Sequence, residues 1–231
     1  MAGGKGGRGG KGGGGGGVGP SASWSNGPNP YQIPDNLKDA IGTRGAPMGM
    51  SDAFFDANPY YSDNYAEFSQ NCQRCVFAYE MRRRGYDVEA LPTYENDMMP
   101  RGGNWQSAMS GMTTVDVGRS TENATYKAIE NQMKNWGEGS RAIIRIKWAG
   151  GNSGHVINCE YANGKLNVYD VQSNSRATGE ALLRDYLQYT TLSRTQLFRT
   201  DNATPTDNMR YMVRKNSTGR TPRRVPVSLV G

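Results

Sequence analysis

The chain has 231 residues, enough for one hydrophobic core with tails and too few for two comfortable cores. Its formal charge of +6 sits at the ends, on Lys5, Arg8 and Lys11 and on Arg210, Arg214, Lys215, Arg220, Arg223 and Arg224; those nine cations leave the central region at about −3, which argues against a basic groove in the folded part and leaves nucleic-acid contact to the tails. There is no apolar run of about eighteen residues and no apolar N-terminal stretch of the secretory kind, so no membrane span and a cytoplasmic start are expected.

Thirteen of the first twenty residues are glycine, and nothing in residues 1–30 offsets the entropy of ordering them. This stretch is expected to be a disordered basic tail. Residues 31–64, rich in Pro, Asn, Gly, Tyr and Asp, read as a loosely ordered lead-in with short helical turns over 36–41 and 51–57. Asn71 is a good N-cap residue, and 72–84 predicts a helix that Gly85 stops. Cys72, Cys75, Val76, Tyr79 and Met81 mark its apolar positions, and Arg82, Arg83 and Arg84 suit the negative end of its dipole.

A short strand over 88–91 and an irregular loop over 94–111, carrying Trp105, lead to a second helix over 121–136. The apolar period then changes to two. Strands are predicted over 141–148, 154–161 and 165–171, the last two joined by Asn163-Gly164, a strong hairpin signal. A helix over 178–189 and a strand over 196–200 close the core, and 203–231 reads as a basic tail. Helices first and a small antiparallel sheet afterwards give an α+β layout.

The chemistry concentrates in few residues. His155 is the only histidine, at the start of one hairpin strand, and Asp170 lies at the far end of the other. A turn at 163/164 sets His155 opposite residue 172 with Asp170 on the diagonal, within reach of a hydrogen bond. A thiol at a helix start gains from the partial positive charge there, and the free N–H groups of the first turn suit an oxyanion. Cys72 follows the cap directly and Cys75 lies one turn deeper. Thiol, imidazole and carboxylate together fill the roles of covalent acyl transfer. Two other readings stand beside this one: a structural zinc set of Cys72, Cys75, His155 and Cys159, and three ordinary buried cysteines. Reduced thiols are expected in either case, since three cysteines, two of them three apart, make no disulfide framework.

The segment Asn71-Cys72-Gln73-Arg74-Cys75 through Gly85 to Pro92, with Trp148 to His155, Gly164 to Gln172 and Phe198 to Asn202, resembles the papain-fold toxin domains of bacterial polymorphic toxins and phage head-assembly proteins. The resemblance covers roughly residues 65–202. It implies a papain-like fold and a glutamine deamidase or peptidase-like cysteine enzyme working through a thioester, without a cofactor. It further implies a cysteine of the Cys72/Cys75 pair as nucleophile, His155 as base and Asp170 as third member, with Asn71, Gln73 and Gln172 in support. Cys72 is preferred from its place after the cap, whereas the papain pattern points to the second cysteine of the pair. Family members commonly carry Asp-Pro-Gln where this chain has Asp170-Val171-Gln172, a change that removes no functional group. Trp105 and Trp148 read as packing, with lining of a cleft as the alternative. A protein substrate, an immunity protein or phage head components are the implied partners, in a bacterial host cytoplasm or a virion. The rival function is a phage structural or accessory protein carrying an inactive module.

Overall fold

A computed structural model describes residues 32–61, 66–93, 99, 101–173 and 179–218. The tails expected over 1–30 and at the end of the chain beyond 218 lie outside the described residues. Asn36 caps the first helix by accepting the Asp39 N–H at 3.0 Å. Helices α1 (Leu37–Ile41), α2 (Met50–Phe55) and α3 (Ala66–Ser69) precede α4 (Cys72–Arg83), which is followed by β1 (Val88–Ala90). A 3-10 helix over Arg101–Ala108 occupies the stretch expected to be an irregular loop, and leads to β2 (Met109–Ser110) and β3 (Thr113–Asp116). Then come α5 (Glu122–Trp136), β4 (Arg141–Lys147), β5 (Gly154–Ala162), β6 (Lys165–Tyr169), α6 (Gly179–Gln188), β7 (Gln196–Arg199), β8 (Thr204–Pro205) and β9 (Val213–Lys215).

The main sheet is antiparallel in the order β3-β7-β4-β5-β6. Asn163 (φ 56°) and Gly164 (φ 70°) both take left-handed backbone, as a two-residue hairpin of type I′ requires, and this sets Ala162 opposite Lys165 and Asn158 opposite Tyr169. Alternation along the strands then feeds two cores. Ile143, Val156 and Phe198 face the α4 side, while Ile144, Ile157, Val168 and Leu197 pack under Ile129 and Met133 of α5 and Leu183 and Leu187 of α6. The sheet is thus covered on both faces, with α4 on one and α5 and α6 on the other.

Three sequence expectations change here. Helix α4 is buried well beyond its expected apolar positions, with Arg74, Glu80 and Arg82 inside beside Val76, Phe77 and Tyr79. Its charges are compensated inside: Glu80 meets Arg84 at 2.7 Å and Arg141 at 2.9 Å and accepts the Thr200 hydroxyl at 3.0 Å. Burial alone would raise the Glu80 carboxyl, but the two guanidinium groups outweigh it and take its pKa to about 2. The described part of the lead-in is not loose, since Ala40, Met48, Ala53, Phe54 and Ala57 pack against α4. Likewise residues 203–217 are not tail: β8 pairs with β2, β9 pairs with β1, and Met209, Met212 and Val213 are buried. Arg214 holds Glu89 in a buried ion pair, so a cation counted as tail charge belongs to the core.

Candidate active site

Cys72 is the first residue of α4 and keeps 8% of its surface exposed, while Cys75, one turn on, has none. The Cys75 thiol donates to Asn71 Oδ1 at 3.2 Å. Burial above all, and then the neighbouring Cys72 and Asp170, push the Cys75 thiol well above the ordinary cysteine range, so it stays protonated. Asn71 departs from its expected capping role: its side chain makes no cap bond. Its amide instead donates to the Leu91 carbonyl at 3.0 Å and to Asn58 Oδ1 at 3.2 Å. Asn58 in turn donates to the carbonyls of Phe68 at 3.0 Å and Gln172 at 2.8 Å. This buried amide pair ties the start of α4 to the segment after β1 and to the loop after β6.

His155 is the second residue of β5, opposite Ile146. Gly154 before it must be glycine for a steric reason, because a Cβ there would lie 2.4 Å from the Ile146 carbonyl oxygen. The hairpin register brings Asp170, the residue after β6, to the diagonal position, and His155 Nε2 lies 3.1 Å from Asp170 Oδ2. Two further donors hold the carboxylate, the Tyr186 hydroxyl on Oδ2 at 2.5 Å and the Gln172 N–H on Oδ1 at 3.1 Å. These donors and the His155 charge outweigh burial and lower the Asp170 pKa. Cys72 lies close to His155 from the helix side, near enough to shift its titration. Burial by itself would lower the imidazole, but the hydrogen bond it makes to Asp170 and its interactions with the nearby Cys72 and with the Asp170 charge raise it to about 10. Trp148 stacks on the ring with centroids 6.1 Å apart and Tyr186 meets it edge-on at 5.7 Å, which shields it from water.

Cys72, Gln73, His155, Asp170 and Gln172 all border one cleft, together with Trp148 and Tyr186. Asn71 and Cys75 do not reach it. Gln73 Oε1 lies 3.4 Å from the Cys72 sulfur. Trp148 therefore lines the cleft rather than only packing, whereas Trp105 is buried against Phe77 and Phe198 and touches solvent only at a neighbouring cavity. The zinc alternative does not assemble: Cys159 points to the opposite core, 3.7 Å from Met133 Sδ, and Cys75 is sealed behind Asn71. Among the described residues no group of three His, Cys, Asp or Glu side chains is placed to hold a metal ion. No described helix is long and apolar enough to cross a membrane. Tyr186 and Asn58 went unseen in the sequence, because neither lies in a motif and only the tertiary fold brings them to Asp170 and Asn71.

A helix-borne cysteine facing a strand-borne histidine and its carboxylate across a cleft defines a papain-like protein. Residues 70–175 match the family described as papain fold toxin 1, glutamine deamidase. No curated protein and no solved structure matches the chain.

Proposed function

We propose that the protein deamidates a glutamine side chain of a protein substrate through a cysteine thioester, with Cys72 as nucleophile. What supports this reading is the placement of Cys72 beside His155, itself hydrogen-bonded to Asp170, with all three bordering one cleft. With one ring nitrogen engaged by Asp170, the other is left to exchange a proton with the thiol. Sulfur attacks the carboxamide carbon, and the carbonyl oxygen takes up the negative charge. The N–H groups of Cys72 and Gln73 come before Arg74, the first whose N–H reaches the Asn71 carbonyl at 2.8 Å, and are the donors offered to that oxyanion, with the Gln73 amide beside them. His155 then protonates the departing nitrogen, which leaves as ammonia. Water, losing its proton to His155, attacks the thioester, giving glutamate and the free thiol. Asp170 orients the ring and stabilises its charged form, and Gln172 positions Asp170 through its backbone N–H.

The test is labelling by a glutamine analogue that is electrophilic at the side-chain carbonyl carbon. The wild-type protein and Cys75→Ala are expected to label, and Cys72→Ala and His155→Ala are not. Labelling of Cys72→Ala as fast as wild type would overturn the assignment. Intact mass of a treated protein substrate separates deamidation, a gain of about one dalton, from peptide-bond cleavage, which yields fragments.

A further inference from the structure

The central region's net negative charge argued against a basic groove, yet one lies beside the cleft. A second cavity shares Gln73, Asn152, Ser153, Gly154 and His155 with the cleft and extends from it along the α4 face of the sheet. Arg145, Lys147 and Arg194 line it too, and among the described residues no Asp or Glu does. The sheet register explains the pairing of charge and site. Arg145 and Lys147 lie opposite Val156 and Gly154, on the two positions that flank the His155 partner Ile146. Because side chains alternate, they project to the α4 face, where Gln73 at the start of that helix and Trp105 line the same cavity.

These cations are not spent on internal pairing. None of the three joins a salt bridge among the described residues, whereas Arg82, Arg83, Arg84, Arg141, Arg199 and Arg214 each do. Arg145 rests its guanidinium over the Phe198 ring at 5.7 Å, which orients it without neutralising it. The Arg145 cross-strand neighbour is Gln196, and the acid one strand further, Asp116, is occupied by the Gln196 amide at 2.6 Å. Three cations gathered without a counter-charge in a concave site repel one another, and an anionic occupant relieves that repulsion.

We infer that this cavity selects the substrate: it binds acidic side chains close in sequence to the target glutamine, so the protein prefers glutamines in Asp- or Glu-rich segments. The inference rests on the deamidase reading for what reaches Cys72. An extended polypeptide that presents a carboxamide to the sulfur has to leave the cleft along one of its open ends, and the shared wall makes this cavity one such exit. A polypeptide is favoured over a nucleic acid because the occupant must also carry an amide to the thiol.

The experiment uses the full chain with Cys72→Ala, so that nothing is turned over, and three fluorescent peptides with one central glutamine flanked by Glu, Ser or Lys. Anisotropy is expected to give about tenfold tighter binding of the acidic peptide than of the neutral one, weakening with salt. Adding Arg145→Gln, Lys147→Gln and Arg194→Gln is expected to bring the ratio near one. The tails are the same in both proteins, so the difference reports the cavity alone, and thermal unfolding checks that the variant is folded. An unchanged preference in the triple variant overturns the inference, as does equal binding of all three peptides by the parent. A single-stranded oligonucleotide that binds the parent more tightly than the acidic peptide and loses this in the triple variant also overturns it. Ammonia release by the wild-type chain from the same peptides separates the two readings. Turnover without acidic preference sinks the selectivity alone, and acidic binding without any turnover sinks the deamidase.

Discussion

The Tyr186 hydroxyl and the His155 imidazole converge on one oxygen of Asp170, at 2.5 Å and 3.1 Å. The carboxylate is thereby fixed between a helix and a strand, and the imidazole it orients has little freedom to turn. Tyr186→Phe removes a donor to the charged carboxylate and keeps the ring that packs on His155. The Asp170 pKa should rise, so the acid limb of the kcat/KM profile should move to higher pH, with a loss of up to about tenfold at neutral pH. A pH-rate series on the two proteins checks this; coincident acid limbs would show that the hydroxyl is not part of the unit.

The two cysteines should separate cleanly. Cys72→Ala removes the proposed nucleophile and should lower kcat/KM by about a thousandfold or more. Cys75→Ala creates a small void and leaves Asn71 Oδ1 without one donor, for about 1–2 kcal/mol of stability, with catalysis within a fewfold of wild type. Urea unfolding and ammonia release, measured on both, decide it.

The raised His155 pKa has a sign that can be checked. Its protonated form is favoured by folding, so its contribution to stability is complete below about pH 6.5 and is lost as pH rises towards about 10. Asp170→Asn takes away a main cause of that shift. Wild type should lose stability between those two pH values more steeply than the variant, and the alkaline limb of its activity should fall at higher pH. Parallel stability curves would contradict the ion pair.

Gly154→Ala tests the close approach of two strands. The added Cβ would stand 2.4 Å from the Ile146 carbonyl oxygen, and backbone on both sides leaves little room to yield. A cost of about 2 kcal/mol or more is expected, together with reduced probe labelling as His155 is displaced. Gly150→Ala is a poor control because of its positive φ, whereas Gly151→Ala, which meets only Ser153 at 3.8 Å, should be nearly silent in unfolding.

Much of this protein is legible along the chain because it is local. The Asn163-Gly164 turn allows one hairpin register, and that register alone brings His155 and Asp170 to a diagonal. The helix after Asn71 and the change to a period of two after Gly139 are likewise written in consecutive residues. What the sequence could not decide depends on groups far apart in it. Cys72 and Cys75 are near-equals in one dimension, and they differ because tertiary packing seals the second behind Asn71 and turns the first toward His155. Asn58, Tyr186 and the Arg145, Lys147 and Arg194 group carry no motif, so only the folded chain gathers them. Charge summed over a segment also misleads, because buried pairs such as Arg141 with Glu80 and Arg214 with Glu89 cancel in place, while three cations with no salt bridge among the described residues line one cavity. Local backbone preference wrote the hairpin; burial and proximity across the fold chose which sulfur faces the imidazole.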